Sequence, residues 1–313
     1  MSESHIILCP GQGAQRVGMG KAWFEASPIA AQTFGAADAV LGDTLGAPLS
    51  ELCFNGPADT LDRTDVAQPA LYTCAVACYQ AWIGDEEILL AATAGLSLGE
   101  YSALHLAGAL SFEDGLRIVT LRGRAMQDAA ESADSSMVAL IGADEAQAVA
   151  VCDAVTSESN ELVLVPANFN APGQIVLSGH SKACARAVEI AQEKSLRATA
   201  LSVAGAFHSP IMQPAAERLA SALEEVEINA PRCPVLSNVT GEPHPMEGDD
   251  FSQGIKQSLV AQLTSPVRWD ACCQWLASHV EGAYHEMAPG KVLSGLMRRI
   301  ERSIKVTNHD EPS

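Results

Sequence analysis

The sequence predicts an α/β protein with a smaller unit inserted into its main body. Strand-like and helix-like segments alternate along most of the chain, a βαββαβ order occupies 134–204, and a polar shift at Ser132-Ala-Asp-Ser-Ser136 marks its start. In the body, a strand over 5–9 runs into Pro10-Gly-Gln-Gly-Ala-Gln15, and an apolar strand over 88–95 leads into a helix reaching residue 108. Ser111-Phe-Glu-Asp114 has capping-box spacing and opens a helix that continues to residue 131. The insert reads as strand 138–141, helix 145–155, strands 162–166 and 174–178, helix 182–194 and strand 198–203, the split βαβ arrangement. A helix at 213–225, a strand at 235–238, helices at 251–263 and 266–280, a strand at 284–287 and a helix at 290–302 resume the body. The expected division is 1–133 with 205–307 for the body, 134–204 for the insert, and a frayed tail over 308–313.

Composition narrows the function. A chain of 313 residues, 48% of them apolar, can bury a sizeable core. With 19 Lys and Arg against 38 Asp and Glu, the net charge of −19 has the wrong sign for a nucleic-acid backbone. The longest uncharged apolar stretch, 88–96, falls far short of the roughly 20 residues of a membrane helix. Met1-Ser-Glu-Ser-His places no basic region before an apolar one, so no secretory signal is read. The nine cysteines include no C-x-x-C pair, and most lie in apolar surroundings. Free buried thiols in a reducing cytoplasm are expected, and the paired spacing of a zinc site is missing.

Gly95-Leu-Ser-Leu-Gly99 matches G-x-S-x-G at the end of an apolar strand and the start of a helix. There the glycines permit a tight turn that exposes the Ser97 oxygen, and the helix N-terminus supplies free N–H groups for an oxyanion, Leu98 foremost. A helix N-cap between two glycines has the same pattern. Of eight histidines, His208 in Gly205-Ala-Phe-His-Ser-Pro210 is the candidate base, because it lies in a loop between a strand and a helix. His105 is expected on a partly buried helix face, and the others at the surface.

On the helix from Ser111, Phe112, Leu116, Ile118, Val119, Leu121, Ala125, Met126 and Ala129 share one broad arc, and Arg122 falls near its middle. Arg117, Arg124, Glu113 and Asp128 fall opposite. A guanidinium facing inward needs a partner, since an unpaired buried charge costs several kcal/mol. An internal carboxylate would serve, as would snorkelling to the surface. A substrate carboxylate held bidentately is the functional alternative, and it would select a dicarboxylic acyl group.

Together these residues make the sequence resemble the bacterial malonyl-CoA:acyl carrier protein transacylase family. The likeness rests on Pro10-Gly-Gln-Gly-Ala-Gln15, Gly95-Leu-Ser-Leu-Gly-Glu-Tyr-Ser-Ala103, Leu121-Arg-Gly-Arg-Ala-Met-Gln127 and Ala167-Asn-Phe-Asn-Ala-Pro-Gly-Gln174. Gly205-Ala-Phe-His-Ser-Pro210, Gln262-Leu-Thr-Ser-Pro-Val-Arg-Trp269 and Pro289-Gly-Lys-Val-Leu293 continue it in the family's order over nearly the whole chain. The resemblance implies a hydrolase-like α/β core with an inserted ferredoxin-like (βαββαβ) subdomain. It further implies ping-pong transfer of malonyl from malonyl-CoA to acyl carrier protein in fatty acid biosynthesis, with Ser97 as nucleophile and His208 as base. The Gln12 and Leu98 amides would form the oxyanion hole, Arg122 would hold the malonyl carboxylate, and the backbone carbonyl near Gln262 would orient His208. Asn168 and Gln174 would line the site or support its loops. No cofactor or metal is implied, since CoA enters as part of the substrate, and a monomer is compatible with this chemistry. The family's usual Gly-His-Ser-Leu-Gly has Leu96 here in place of its histidine, which removes a pocket neighbour but not the base.

Acyl carrier protein is acidic, so an acidic enzyme needs a local basic face to meet it. Lys291, Arg298, Arg299, Arg302 and Lys305, with only Glu301 among them, are the candidate docking residues. Cations at a helix C-terminus would give the same pattern. A serine hydrolase using Ser97 and His208, an acyltransferase serving a polyketide carrier, and an inactive scaffold on the same fold are the competing readings. Arg122 on an apolar face weighs against the first, and retention of all four site residues against the last.

Overall fold

The computed structural model describes residues 4–159 and 161–312. The chain opens with β1 (Ser4–Cys9), passes through α1 (Lys21–Ala26), α2 (Pro28–Leu41), α3 (Leu49–Asn55), α4 (Ala58–Leu61) and α5 (Thr64–Ile83), and returns as β2 (Leu89–Gly95). Next come α6 (Gly99–Leu106) and α7 (Phe112–Glu131), then β3 (Ser135–Ile141), α8 (Glu145–Glu158), β4 (Leu164–Ala171), β5 (Gln174–His180), α9 (Ser181–Glu193) and β6 (Arg197–Ala200). After a 3-10 turn at Pro210–Met212 follow α10 (Gln213–Glu224), α11 (Phe251–Ala261), α12 (Trp269–His279), β7 (Ala283–Met287), α13 (Val292–Ile300) and β8 (Val306–His309).

Two sheets result. The first is parallel, in the order β2-β1-β7-β8. Its central strand β1 is apolar on both faces, as a parallel sheet covered by helices requires. Ile7 and Cys9 enter the larger core around α5, while Ile6 and Leu8 enter a second core with Trp269 and Leu293. Burial of α5 is nearly complete from Thr64 to Tyr79. The second sheet is antiparallel, ordered β4-β5-β3-β6, and packs its own core, including Leu140, Leu177 and Val151, beneath α8 and α9. Sequence neighbours β3 and β4 are separated by β5, which is the split βαβ topology. Segment 167–169 of β4 exchanges hydrogen bonds with Val267 of the first body at 2.8 Å, which fixes the strand against the core.

Several expectations need correction. The strand at 235–238 reduces to isolated bridges, Thr93 to Val235 and Leu236 to Pro243. The tail is not frayed over its described part: β8 closes the parallel sheet, His309 O accepts from Trp23 Nε1 at 2.9 Å, and Asp310 pairs with Arg16 at 2.6 Å. Ser313 lies outside the described residues. Nor are the remaining histidines uniformly at the surface, since His244, His285 and His309 are buried. His5, His285 and His309 occupy adjacent strands and satisfy one another's ring nitrogens at 3.0 and 2.9 Å. Such mutual hydrogen bonding is what makes burial of a polar ring tolerable. All nine cysteine thiols are buried and free. Among the described residues no helix is long and apolar enough to cross a membrane.

Candidate active site

β2 and α6 meet at a turn that holds Ser97 in the left-handed region, at φ 52°. A non-glycine residue there carries strain of order 1–3 kcal/mol, which the surroundings must hold in place. Bare backbone makes the turn possible. A Cβ on Gly95 would stand 1.9 Å from the Gly99 carbonyl, and one on Gly99 would stand 2.1 Å from Cys9 O. Asn238 closes the elbow: its Oδ1 accepts from Ser97 N–H at 2.6 Å and its Nδ2 donates to Gly95 O at 2.8 Å.

His208, itself at φ 56°, comes from the segment between β6 and the 3-10 turn. Its Nε2 lies 2.9 Å from Ser97 Oγ, and its Nδ1 lies 2.7 Å from the Gln262 carbonyl oxygen. A carbonyl only accepts, so Nδ1 carries the proton and the neutral ring turns a bare Nε2 toward the Ser97 O–H. Burial foremost, then the neighbouring Arg122 charge, push the His208 pKa down to about 4, with the Gln262 carbonyl opposing them. The ring is therefore neutral at ordinary pH.

Arg122 projects from the inner face of α7 and is 1% exposed. Its Nη1 donates to Gln68 Oε1 at 2.7 Å, while Nη2 donates to Gln262 Oε1 at 2.8 Å and to Ser97 Oγ at 3.1 Å. Nε has no partner, and the Tyr101 ring lies 5.4 Å from the guanidinium carbon. Among the described residues no carboxylate pairs with Arg122, and its head does not reach solvent. Both bland explanations for this inward arginine therefore fail. A buried cation is held here by neutral acceptors alone, and burial lowers its pKa accordingly.

The remaining candidates divide. The Gln12 and Leu98 amides have no hydrogen-bond partner among the described residues, and the Gln12 side chain donates to Thr64 Oγ1 at 3.2 Å. Ser97, His208, Gln12, Leu96 and Asn168 line one cleft of about 610 Å³, so the departure at Leu96 faces the site. Gln174 does not reach the cleft. Its Oε1 accepts from Arg299 on α13 at 2.7 Å, at the start of β5, and Val176 two residues on is the residue of that strand that lines the cleft. Four buried participants were not read from the sequence: Gln68, Glu100, Asn238 and His244. Glu100, the one carboxylate on the helix that follows G-x-S-x-G, was the available signal.

This geometry has close relatives. The acyl transferase domain family matches residues 6–308. A malonyl CoA-acyl carrier protein transacylase from Bacillus subtilis (strain 168) is 42% identical over 307 residues, covering 98% of this chain and 93% of that protein. The solved structure of the corresponding transacylase from Coxiella burnetii superposes with a TM-score of 0.91 at 35% identity, covering 99% of this chain and 95% of that one. A type II PKS acyl-carrier protein in complex with its malonyl-transacylase gives a TM-score of 0.90 at 35% identity, covering 99% and 97%. The chain belongs to the malonyl CoA-acyl carrier protein transacylase family of acyl transferases.

Proposed function

We propose that this chain transfers the malonyl group from malonyl-CoA to the phosphopantetheine thiol of acyl carrier protein, through a malonyl ester of Ser97, in fatty acid biosynthesis. The observation that carries the reading is Arg122: a buried guanidinium with no protein carboxylate, touching the candidate nucleophile at 3.1 Å. A substrate bearing its own carboxylate supplies the missing charge. We place that carboxylate on the fork of Nε and Nη2, taking the unpartnered Nε–H and replacing Ser97 Oγ on Nη2.

In the first half-reaction Ser97 Oγ attacks the thioester carbon as its proton passes to His208 Nε2. The imidazolium keeps its Nδ1–H on the Gln262 carbonyl. The Gln12 and Leu98 amides receive the oxyanion, and collapse expels the CoA thiolate, which takes the proton from His208. In the second half-reaction the carrier's thiol gives its proton to His208 and attacks the ester carbon; collapse breaks the Ser97 Oγ–C bond, and Oγ takes that proton back from His208 Nε2. A carbonyl in place of the usual aspartate orients the ring without adding charge. Each step has a residue of this chain assigned to it, so no separate cofactor is invoked, and one chain suffices. Buried free thiols fit a reducing compartment, which we take to be the cytoplasm.

We further infer that residues 134–204 form a subdomain whose β4 carries Asn168 to the cleft. Arg298, Arg299 and Arg302 line a concave surface beside Pro172 and have no carboxylate partner among the described residues, which supports carrier docking there. A polyketide carrier is the second reading, favoured by the similarity to the type II PKS transacylase. The test is the formation of malonyl-carrier, followed by mass, from malonyl-CoA and carrier bearing the phosphopantetheine arm, with armless carrier as control. No malonyl-carrier from the armed form defeats the proposal. Reversing Arg298 and Arg299 to glutamate should raise the carrier KM several-fold and leave Ser97 loading intact; an unchanged carrier KM would remove the docking site.

A further inference from the structure

Glu100 is fully buried on the first turn of α6, and no arginine or lysine pairs with it among the described residues. Its Oε2 accepts from the Asn238 backbone N–H at 3.0 Å and from Gln262 Nε2 at 2.7 Å, and its Oε1 accepts from His244 Nε2 at 2.6 Å. Each of the first two donors holds part of the site. Asn238 pins the elbow through Ser97 N–H and Gly95 O. Gln262 reaches three groups at once: its side-chain Nε2 donates to Ser97 O at 3.0 Å, its Oε1 accepts from Arg122, and its backbone carbonyl accepts from His208.

The amide of Gln262 has two ends with opposite roles, and Glu100, on the shorter of its two Nε2 bonds, holds the NH2 end together with the Ser97 carbonyl. An acceptor-only carboxylate draws the NH2 end to itself, so the oxygen end must face the guanidinium. A flipped amide would set NH2 against Arg122 and lose all three bonds, to Arg122, to Glu100 and to Ser97 O. The same relay explains why the site carries a buried cation without a contacting anion. A carboxylate in direct contact with Arg122 would compete with the substrate for the fork, whereas one placed behind an amide balances the charge and leaves the fork available. We propose that Glu100 is the positioning residue of the site, acting through Gln262 and Asn238 as the relayed counter-charge that sets Arg122 for the substrate carboxylate.

This inference rests on the malonyl reading above, and its test separates the two. Ser97 loading from malonyl-CoA and from acetyl-CoA is measured by mass on the full-length wild type, Glu100→Ala and Glu100→Gln. Loss of the carboxylate in Glu100→Ala lets the Gln262 amide turn, and malonyl loading should fall by about 10²-fold, the scale of a misplacement near 1 Å. Acetyl loading, which makes no use of Arg122, should fall several-fold less. Glu100→Gln keeps an acceptor for Asn238 and Gln262, and His244, whose Nδ1 has no partner, can shift its proton to meet the new NH2. That variant should recover most of the malonyl rate. Equal losses for both substrates, or a Gln variant no better than Ala, would overturn the inference. Failure of the wild type to load malonyl would instead overturn the reading beneath it.

Discussion

Replacing Arg122 by alanine separates recognition of the acyl group from chemistry on it. On the proposed binding mode, two charge-assisted hydrogen bonds to the malonyl carboxylate are lost, in a site where the guanidinium is 1% exposed and water cannot substitute freely. Truncating one partner of a buried, hydrogen-bonded charge pair costs about 2–5 kcal/mol, so about 3 kcal/mol corresponds to roughly 10²-fold in malonyl loading. Acetyl-CoA offers nothing to Arg122. Moreover, the Arg122 charge is one of the causes that hold the His208 pKa down, so its removal makes the base stronger. Acetyl loading should therefore hold steady or rise, and the malonyl-to-acetyl preference should drop by about 10²-fold. Rates of Ser97 acylation from each thioester, measured by rapid quench and mass, decide the matter. A proportional fall for both substrates would mean that Arg122 supports the fold rather than reads the substrate.

Acidity tests the base and the fold together. With His208 near 4, kcat/KM for malonyl loading should stay level to well below the ordinary histidine value of about 6.5 and fall only as the pH approaches 4. A limb near 6.5 would contradict the buried neutral ring. His208, His285 and His309 all have pKa values lowered to about 4, so the unfolded chain binds protons that the folded one refuses. Their contribution to stability is complete above about 6.5 and is lost as the pH falls toward 4, which chemical denaturation at several pH values would reveal as a steep acid decline. Gly99→Ala should abolish Ser97 loading, because its Cβ would sit 2.1 Å from Cys9 O and force α6 away from β1. A folded, active alanine variant would show that the elbow tolerates a shift that the backbone distances forbid.

What the sequence made legible followed from local pattern. Alternation of strands and helices, the serine elbow and the inward arginine depend on neighbours in the chain, and Phe112–Glu131 follows directly from the Ser111 cap and the apolar arc. Partnerships across the fold were not legible. Ser97 and Asn238 are 141 positions apart and Arg122 and Gln262 are 140 apart, and no periodicity records such pairs. Helix α5, buried from Thr64 to Tyr79, has no polar face to reveal its period, which is why its extent went unread. The histidines of β1, β7 and β8 were assigned to the surface because their partners are one another, across strands distant in sequence. Gln174 was placed at the site by its motif, whereas its side chain is taken by Arg299, 125 positions away in the chain.

The central claim is a covalent malonyl ester on Ser97 that the carrier removes. Intact-protein mass after brief exposure to malonyl-CoA, before and after addition of phosphopantetheine-bearing acyl carrier protein, tests it most directly. The account predicts a single malonyl increment that Ser97→Ala abolishes and the carrier discharges onto its own thiol. An enzyme that stays unmodified, keeps the increment without Ser97, or loses malonyl to water as fast as to the carrier would contradict it.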